Sequence, residues 1–333
     1  FHARSEFVFF SSAIAIVVLA EWMRRGTEEM AKRAGGMIGG LLSVTFGNVA
    51  ELILALFVLK SGNVAVVKAT ITGSIISNSL LGLGIAILAG SWGRRKQTFS
   101  RERVGLLSSL YIISLIALML PALFDYTERK THVGDPSRME THLSLGVAIV
   151  LIAVYVANLI YTMVTHRDLF SAGEHFERPT WSLAKTLLVL GGATVFVAIE
   201  SELVSQMIDK TAVSLGMTEF FLGIIILPII GNAAEYVSAI YFARTDQMNM
   251  VMSIAVGASI QVALLTAPVL VIASYIIGWR MDLVFENPLE LLAIAGAAFA
   301  VKSISQDGET DWFEGLLLVA VYLLLAITFF YVT

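Results

Sequence analysis

Two acids interrupt strongly apolar parts of this chain. Glu51 lies in SVTFGNVAELILALFVLK (residues 43–60) and Glu235 in PIIGNAAEYVSAIYFAR (residues 228–244), each three residues after an asparagine, Asn48 or Asn232. A spacing of three puts amide and carboxylate on one face of a helix. An uncompensated charge at the centre of a bilayer costs about 2.5–3.5 kcal/mol on insertion scales, so something must neutralise these glutamates. Hard cations do so through carboxylate, amide and hydroxyl oxygens, of which Ca2+ takes roughly 6–8. Protonation also does so, and both burial and a second nearby carboxylate favour it. If only the cation-loaded and protonated pairs are free of net charge, only those states cross the membrane, and cation movement is coupled to proton counterflow.

The elements that must position these groups follow from composition. Of 333 residues, 57% are hydrophobic and 14% charged, against about 25% charged in soluble domains. Mean hydropathy is +0.81. An integral membrane protein is implied, with the lipid bilayer as its partner. The absence of cysteine excludes disulfides, thiolate metal sites and cysteine redox chemistry. No basic block with interleaved aromatics points to nucleic acid, and the opening FHARSEF shows neither an initiator Met nor a signal-peptide pattern, so residues are expected upstream. Apolar runs long enough to cross about 30 Å of hydrocarbon predict ten helices, at 7–23, 37–60, 64–91, 104–124, 142–165, 182–207, 218–243, 249–278, 288–303 and 312–332. The fold class is therefore all-α integral membrane. The links after the odd-numbered helices carry 13 Lys and Arg residues and the others 6, which sets the first group in the cytoplasm.

The chain also repeats itself. GNVAELILALFVLK from Gly47 resembles GNAAEYVSAIYFAR from Gly231, and VVKATITGSIISNSLL from Val66 aligns with MVMSIAVGASIQVALL from Met250, both at an offset of 184. Two groups of five helices result, residues 1–166 and 182–333, joined by a cytoplasmic link at 167–181. Five is odd, so the second group must enter the membrane from the opposite face, as an inverted-topology repeat. Its pseudo-two-fold symmetry brings the two Gly-Asn-x-x-Glu segments together near the midplane. Gly47 and Gly231 permit close backbone approach, and Pro228 frees a carbonyl. Partner helices add Thr70, Thr72, Ser74, Ser77 and Asn78 from one half and Ser253, Ser259 and Gln261 from the other. All five histidines fall in links or near helix ends, which disfavours zinc and copper.

These residues resemble the Ca2+/H+ antiporters of the cation/Ca2+ exchanger superfamily. The resemblance spans nearly the whole chain and rests on GTEEMAKRAGGMIGGLLSVTFGNVAEL from Gly26, KATITGSIISN from Lys68, PIIGNAAE from Pro228, VGASIQ from Val256 and QDGETDWFEGLLLVAVY from Gln306. It implies a secondary active transporter that exchanges Ca2+ for protons by alternating access. It further implies that Glu51 and Glu235 bind Ca2+ and protons in turn, with Asn48, Asn232, Ser74 and Gln261 lining the site. Asn78 is carried over less directly, since its repeat counterpart is Val262. Family members commonly have a further helix before the repeats, and the central link here is only mildly acidic through Asp168, Glu174 and Glu177. No cofactor is implied beyond the transported ions. A prokaryotic plasma membrane is the expected location, and a homo-oligomer is compatible with the sequence.

Other readings fit less well. Exchange of Na+, or of Na+ with K+, for Ca2+ needs more ligands, whereas Ala258 and Val262 stand where the first half has Ser74 and Asn78. Mn2+ suits the same oxygens. An intramembrane aspartic protease would need a Gly-x-Gly-Asp segment, which the chain lacks, and no phosphate-binding loop supports an ATP-driven pump. A passive channel would not need a neutralisable site. Thr70, Thr72, Ser77, Ser253 and Ser259 are expected to bond carbonyls of their own helices. Glu21 and Glu202 are expected near water, Arg94-Arg95-Lys96 at anionic headgroups, and Asp307, Glu309 and Asp311 in a solvated turn.

Overall fold

The computed structural model describes residues 4–34, 46–128, 136–166, 179–285 and 287–332. The link at 167–178, with Asp168, Glu174 and Glu177, and the first part of the second expected helix, 37–45, lie outside the described residues. The helices are α1 (Ser5–Ala34), α2 (Val49–Lys60), α3 (Val64–Gly90), α4 (Arg101–Glu128), α5 (Pro136–Ile160), α6 (Leu183–Leu215), α7 (Glu219–Gly231), α8 (Ala233–Arg244), α9 (Met248–Ile277), α10 (Pro288–Ile304) and α11 (Trp312–Phe330). Two short strands, β1 (Gln97–Thr98) and β2 (Glu309–Thr310), pair antiparallel and tie the exit of α3 to the entry of α11.

Among the described residues, seven helices are long and apolar enough to cross a membrane, and α7 with α8 makes an eighth if that bent pair is one span. Of the other two expected spans, α10 has 17 residues, and α2 is the described end of a segment that begins outside the described residues. The burial of the long helices sorts them into layers. The most apolar stretch of α3 is 83% buried and that of α9 56%, whereas those of the others are 22–39% buried and turn apolar side chains outward. The protein is thus a multi-pass membrane protein in which α3 and α9 form the centre.

Two expectations about helix length are corrected. The apolar pattern ends α1 at residue 23, but the helix continues to Ala34. Ion pairs one turn apart carry it past the apolar run: Glu21 with Arg24 (2.8 Å) and Arg25 (2.7 Å), Glu28 with Arg24, and Glu29 with Lys32 (3.1 Å). Likewise α6 runs to Leu215 rather than residue 207, from a Ser182 cap that accepts from Lys185 N to Gly216 in the left-handed region at φ 66°.

The expected continuous span at 218–243 is broken. Asn232, with φ −103° and ψ 12°, separates α7 from α8, which bend by 52°. The cause is local. Pro228 has no N–H to offer the Ile224 carbonyl, and the helix widens into a π stretch over Leu222–Ile226 just before it. Asn232 then turns its own amide back onto the Pro228 carbonyl at 2.9 Å. Asn48 takes the same conformation before α2, at φ −100° and ψ 20°.

Helix boundaries recur with the sequence repeat. Both ends of α2 and α8 lie 184 residues apart, as do the starts of α3 and α9. Their π stretches, Ser77–Gly82 and Val262–Thr266, also end at matching positions. The packing at α3 is tight: a β-carbon on Gly73 would lie 2.1 Å from the Ile224 carbonyl oxygen and 2.5 Å from the Pro228 ring. Gly73→Ala should therefore lower the thermal unfolding midpoint, at a cost of about 1–3 kcal/mol or more. Gly257→Ala, which would meet nothing within 4 Å, should leave the midpoint unchanged or raised. Equal midpoints for the two variants would contradict this packing.

Candidate functional site

The break at Asn232 gathers the predicted polar residues. Asn232 is 1% exposed, and its amide nitrogen donates to Pro228 O and, at 3.4 Å, to Ser74 Oγ. Its amide oxygen accepts from Asn78 Nδ2 at 3.0 Å. Ser74, fully buried on α3, in turn donates to the Glu51 carboxylate. Asn232 of the second half therefore joins Ser74 and Asn78 of the first, and Ser74 extends the network to Glu51.

Glu51 and Glu235 occupy equivalent places, each in the first turn of the helix after a break. The positive end of a helix favours a carboxylate there. Glu51 is 4% exposed and packs against Gly231, where a β-carbon would stand 3.4 Å from its Cγ. Glu235 lies within electrostatic reach of Glu51. Each glutamate keeps one buried oxygen, Oε2, without a hydrogen-bond partner. Asn78 Oδ1 and Asn48 Nδ2 are buried and unpartnered as well. Buried polar atoms are normally satisfied, so open oxygens on two acids and an amide beside a shared network leave capacity there for a further partner.

The donor set decides which guest fits. Among the described residues no three His, Cys, Asp or Glu side chains converge as metal ligands. What converges is two carboxylates with amide and hydroxyl oxygens, the chemistry of a hard cation or of protons. Gln261, half-buried, ends the α-helical part of α9 immediately before its π stretch, and no hydrogen bond joins it to the cluster. Ala258 and Val262, 4% and 0% exposed, put only apolar groups at the second-half positions matching Ser74 and Asn78. The site is lopsided toward the first half's α3.

Four of the five hydroxyls expected to bond their own helices do so: Thr70 to Val66 O, Ser77 to Ser74 O, Ser253 to Asn249 O and Ser259 to Ala255 O. Thr72 departs from that expectation and donates to Glu290 at 2.8 Å. Glu290, 3% exposed, begins α10, and one turn before Thr72 the buried Lys68 pairs with Asp282 (2.7 Å) and Val284 O (3.0 Å). The sequence reading missed this second polar cluster. Its signal was the capping spacing Asn287-x-x-Glu290, with Asn287 Oδ1 accepting from Leu289 N. Glu21 departs from the expected place at a helix end: α1 continues to Ala34, so Glu21 lies in its middle, 30% exposed, paired with Arg24 and Arg25 and within electrostatic reach of Glu235. Asp311 caps α11 and Glu309 pairs with Lys96.

A multi-pass bundle with helix breaks and a pair of acids whose oxygens are buried beside them has the architecture of a membrane transporter of small cations. The family model of the sodium/calcium exchanger proteins matches residues 5–164 and 185–331. The chain is 42% identical to a Ca2+/H+ antiporter of Aphanothece halophytica, over 97% of this chain and 90% of the relative. It is 39% identical to the Ca2+/H+ antiporter ChaA of Bacillus subtilis, over 99% and 93%. Its fold matches the solved structure of native YfkE with a TM-score of 0.83 and 36% identity, covering 99% of this chain and 94% of that one. The protein belongs to the sodium/calcium exchanger family, in its Ca2+/H+ antiporter branch.

Asn232→Ala should orphan Asn78 Nδ2, at about 1–3 kcal/mol, and take one of two bonds each from Pro228 O and Ser74 Oγ, which keep Asn232 N and Glu51 as partners. Its thermal unfolding midpoint should fall well below that of Ser253→Ala, which loses only a bond to Asn249 O. A midpoint equal to that of Ser253→Ala would show that Asn232 is not the hub of the cluster.

Proposed function

We propose that the protein exchanges Ca2+ for protons across a membrane by alternating access, with Glu51 and Glu235 holding the dication or protons in turn. The observation that carries this reading is the pair of equivalent acids, each with one buried oxygen left open at a helix break. Asn232, Ser74 and Asn78 hold the pair in register, and Asn48 and Gln261 complete the lining. The two halves act as inverted repeats, residues 1–166 and 182–333, around a midplane site, with the 167–181 link in the cytoplasm. The recurrence of helix breaks and π stretches between the halves supports that symmetry. Similarity to bacterial Ca2+/H+ antiporters supports both the ions and a prokaryotic plasma membrane. Sodium coupling is disfavoured by the apolar Ala258 and Val262, which leave too few donors for monovalent ions.

Neutrality gives the mechanism its coupling. Empty and ionised, the pair would carry two negative charges through hydrocarbon, which is strongly unfavourable. Loaded with one dication, or protonated, it is neutral and can be exposed to either side in turn. Protons entering the site displace Ca2+ because both use the same oxygens.

Reconstituted vesicles in sodium-free buffer should show net Ca2+ uptake only when a pH gradient is imposed. Glu51→Gln and Glu235→Gln should each abolish that flux while keeping a wild-type unfolding profile; flux near the wild-type rate in either variant would remove the shared-site mechanism. As pH falls, protonation withdraws ligand oxygens, so Ca2+ affinity should fall with it. A binding isotherm that does not move between about pH 5 and 8 would contradict the competition.

A further inference from the structure

Beyond the carboxylates, two phenolic hydroxyls among the described residues are buried without a hydrogen-bond partner. Tyr322 of α11 is 2% exposed, and its hydroxyl is buried without a hydrogen-bond partner. The hydroxyl of Tyr236, the neighbour of Glu235, is in the same condition. Both approach the π stretch of α3. The Tyr236 ring lies over Gly82, where a β-carbon would come within 2.7 Å of it. The Ser77 hydroxyl stands beside the Tyr236 phenol without closing a hydrogen bond to it.

Tyr322 reaches the same place from the other side. α3 runs toward the β1–β2 pair and α11 runs away from it, so the two helices are antiparallel. They cross where Gly84 meets Gly315, a β-carbon on either lying 2.9 Å from the other's carbonyl oxygen. Two turns beyond Gly315 on α11 is Tyr322, and two turns before Gly84 on α3 is Ser77, so the two hydroxyls share one level. α11 packs directly on the π stretch there. Three helices thus bring three hydroxyls together one turn past Ser74. Left dry, unpaired phenolic groups are costly, and a buried water is held by two to four such partners.

We propose that Ser77, Tyr236 and Tyr322 enclose a buried water site that conducts protons between the carboxylate pair and the α3–α11 end of the bundle, apart from the path of the cation. The inference rests on the Ca2+/H+ exchange reading. Three neutral hydroxyl oxygens without a carboxylate cannot offset a dication, which keeps Ca2+ out of this branch. A proton passes when the water accepts it on its oxygen and releases another from its opposite O–H, so one proton moves and every hydroxyl ends neutral. Tyr322 is a positioning residue here, since it holds the water rather than the ion.

The test separates proton movement from cation movement. Tyr322→Phe in vesicles should slow pH-driven Ca2+ uptake severalfold, while exchange of internal for external tracer Ca2+, which needs no proton, keeps its wild-type rate. The unfolding midpoint should not rise, because the phenol is already satisfied by water. Wild-type rates of both fluxes, an equal loss of both, or a raised midpoint would overturn the water branch. Should Tyr322→Phe fail to fold, Ser77→Ala decides the matter by the same split. A wild-type protein that shows no pH-driven Ca2+ uptake removes the exchange reading and the branch with it, whereas an unaffected variant beside an active wild type removes the branch alone.

Discussion

Carboxylates inside a hydrocarbon-surrounded bundle are tolerated only where their charge is answered, and the answer here differs from one buried acid to another. Glu29, 5% exposed near the end of α1, has its oxygens occupied by Thr180 N and Oγ1, Trp181 N and Lys32. It is a finished clamp between α1 and the entry to α6. Glu290 accepts from Thr72 at the start of α10. Glu51 and Glu235 are different: each sits at the positive end of a helix, yet each keeps a buried oxygen open. An open buried oxygen alone does not set them apart, since Glu314 in the first turn of α11 keeps one too; what does is that Glu51 and Glu235 lie within electrostatic reach of each other beside the Ser74–Asn232–Asn78 network.

The helix breaks follow from the same requirement. A continuous helix would bury its own carbonyls and turn its acids away from the opposite half. The breaks at Asn48 and Asn232 start new helices in the interior, and the π stretches of α3 and α9 loosen the two central helices beside them. Tight contact compensates for that loosening. Gly73 lies against the Ile224 carbonyl, and Gly84 against Gly315, so that α3 is gripped on two sides while its middle departs from regular geometry.

Much of this was legible in the sequence because hydrocarbon simplifies the code. Long apolar runs located most helices, and the repeated Gly-Asn-x-x-Glu located both acids. Asn232, Ser74 and Asn78 do meet Glu51 in one network. Hydropathy could not see the break at Asn232, since the residues on either side are equally apolar and the cause is a proline and an amide acting on the backbone. Nor could it see α1 beyond residue 23, where ion pairs rather than apolar surface sustain the helix. Thr72 was misjudged because its partner, Glu290, is 218 residues away in the chain. Gln261 carries the right chemistry, but repeat symmetry does not extend to its neighbours, and no hydrogen bond draws it into the cluster.

The central claim is that a dication and protons compete for the same two side chains. Its most direct test is to count protons released when Ca2+ is added to the purified protein in weakly buffered, neutral solution. Sharing of the Glu51 and Glu235 oxygens predicts acidification that saturates with Ca2+ binding and disappears in the Glu51→Gln, Glu235→Gln double variant. Calcium bound by the wild-type protein with no proton released at any pH would contradict the account.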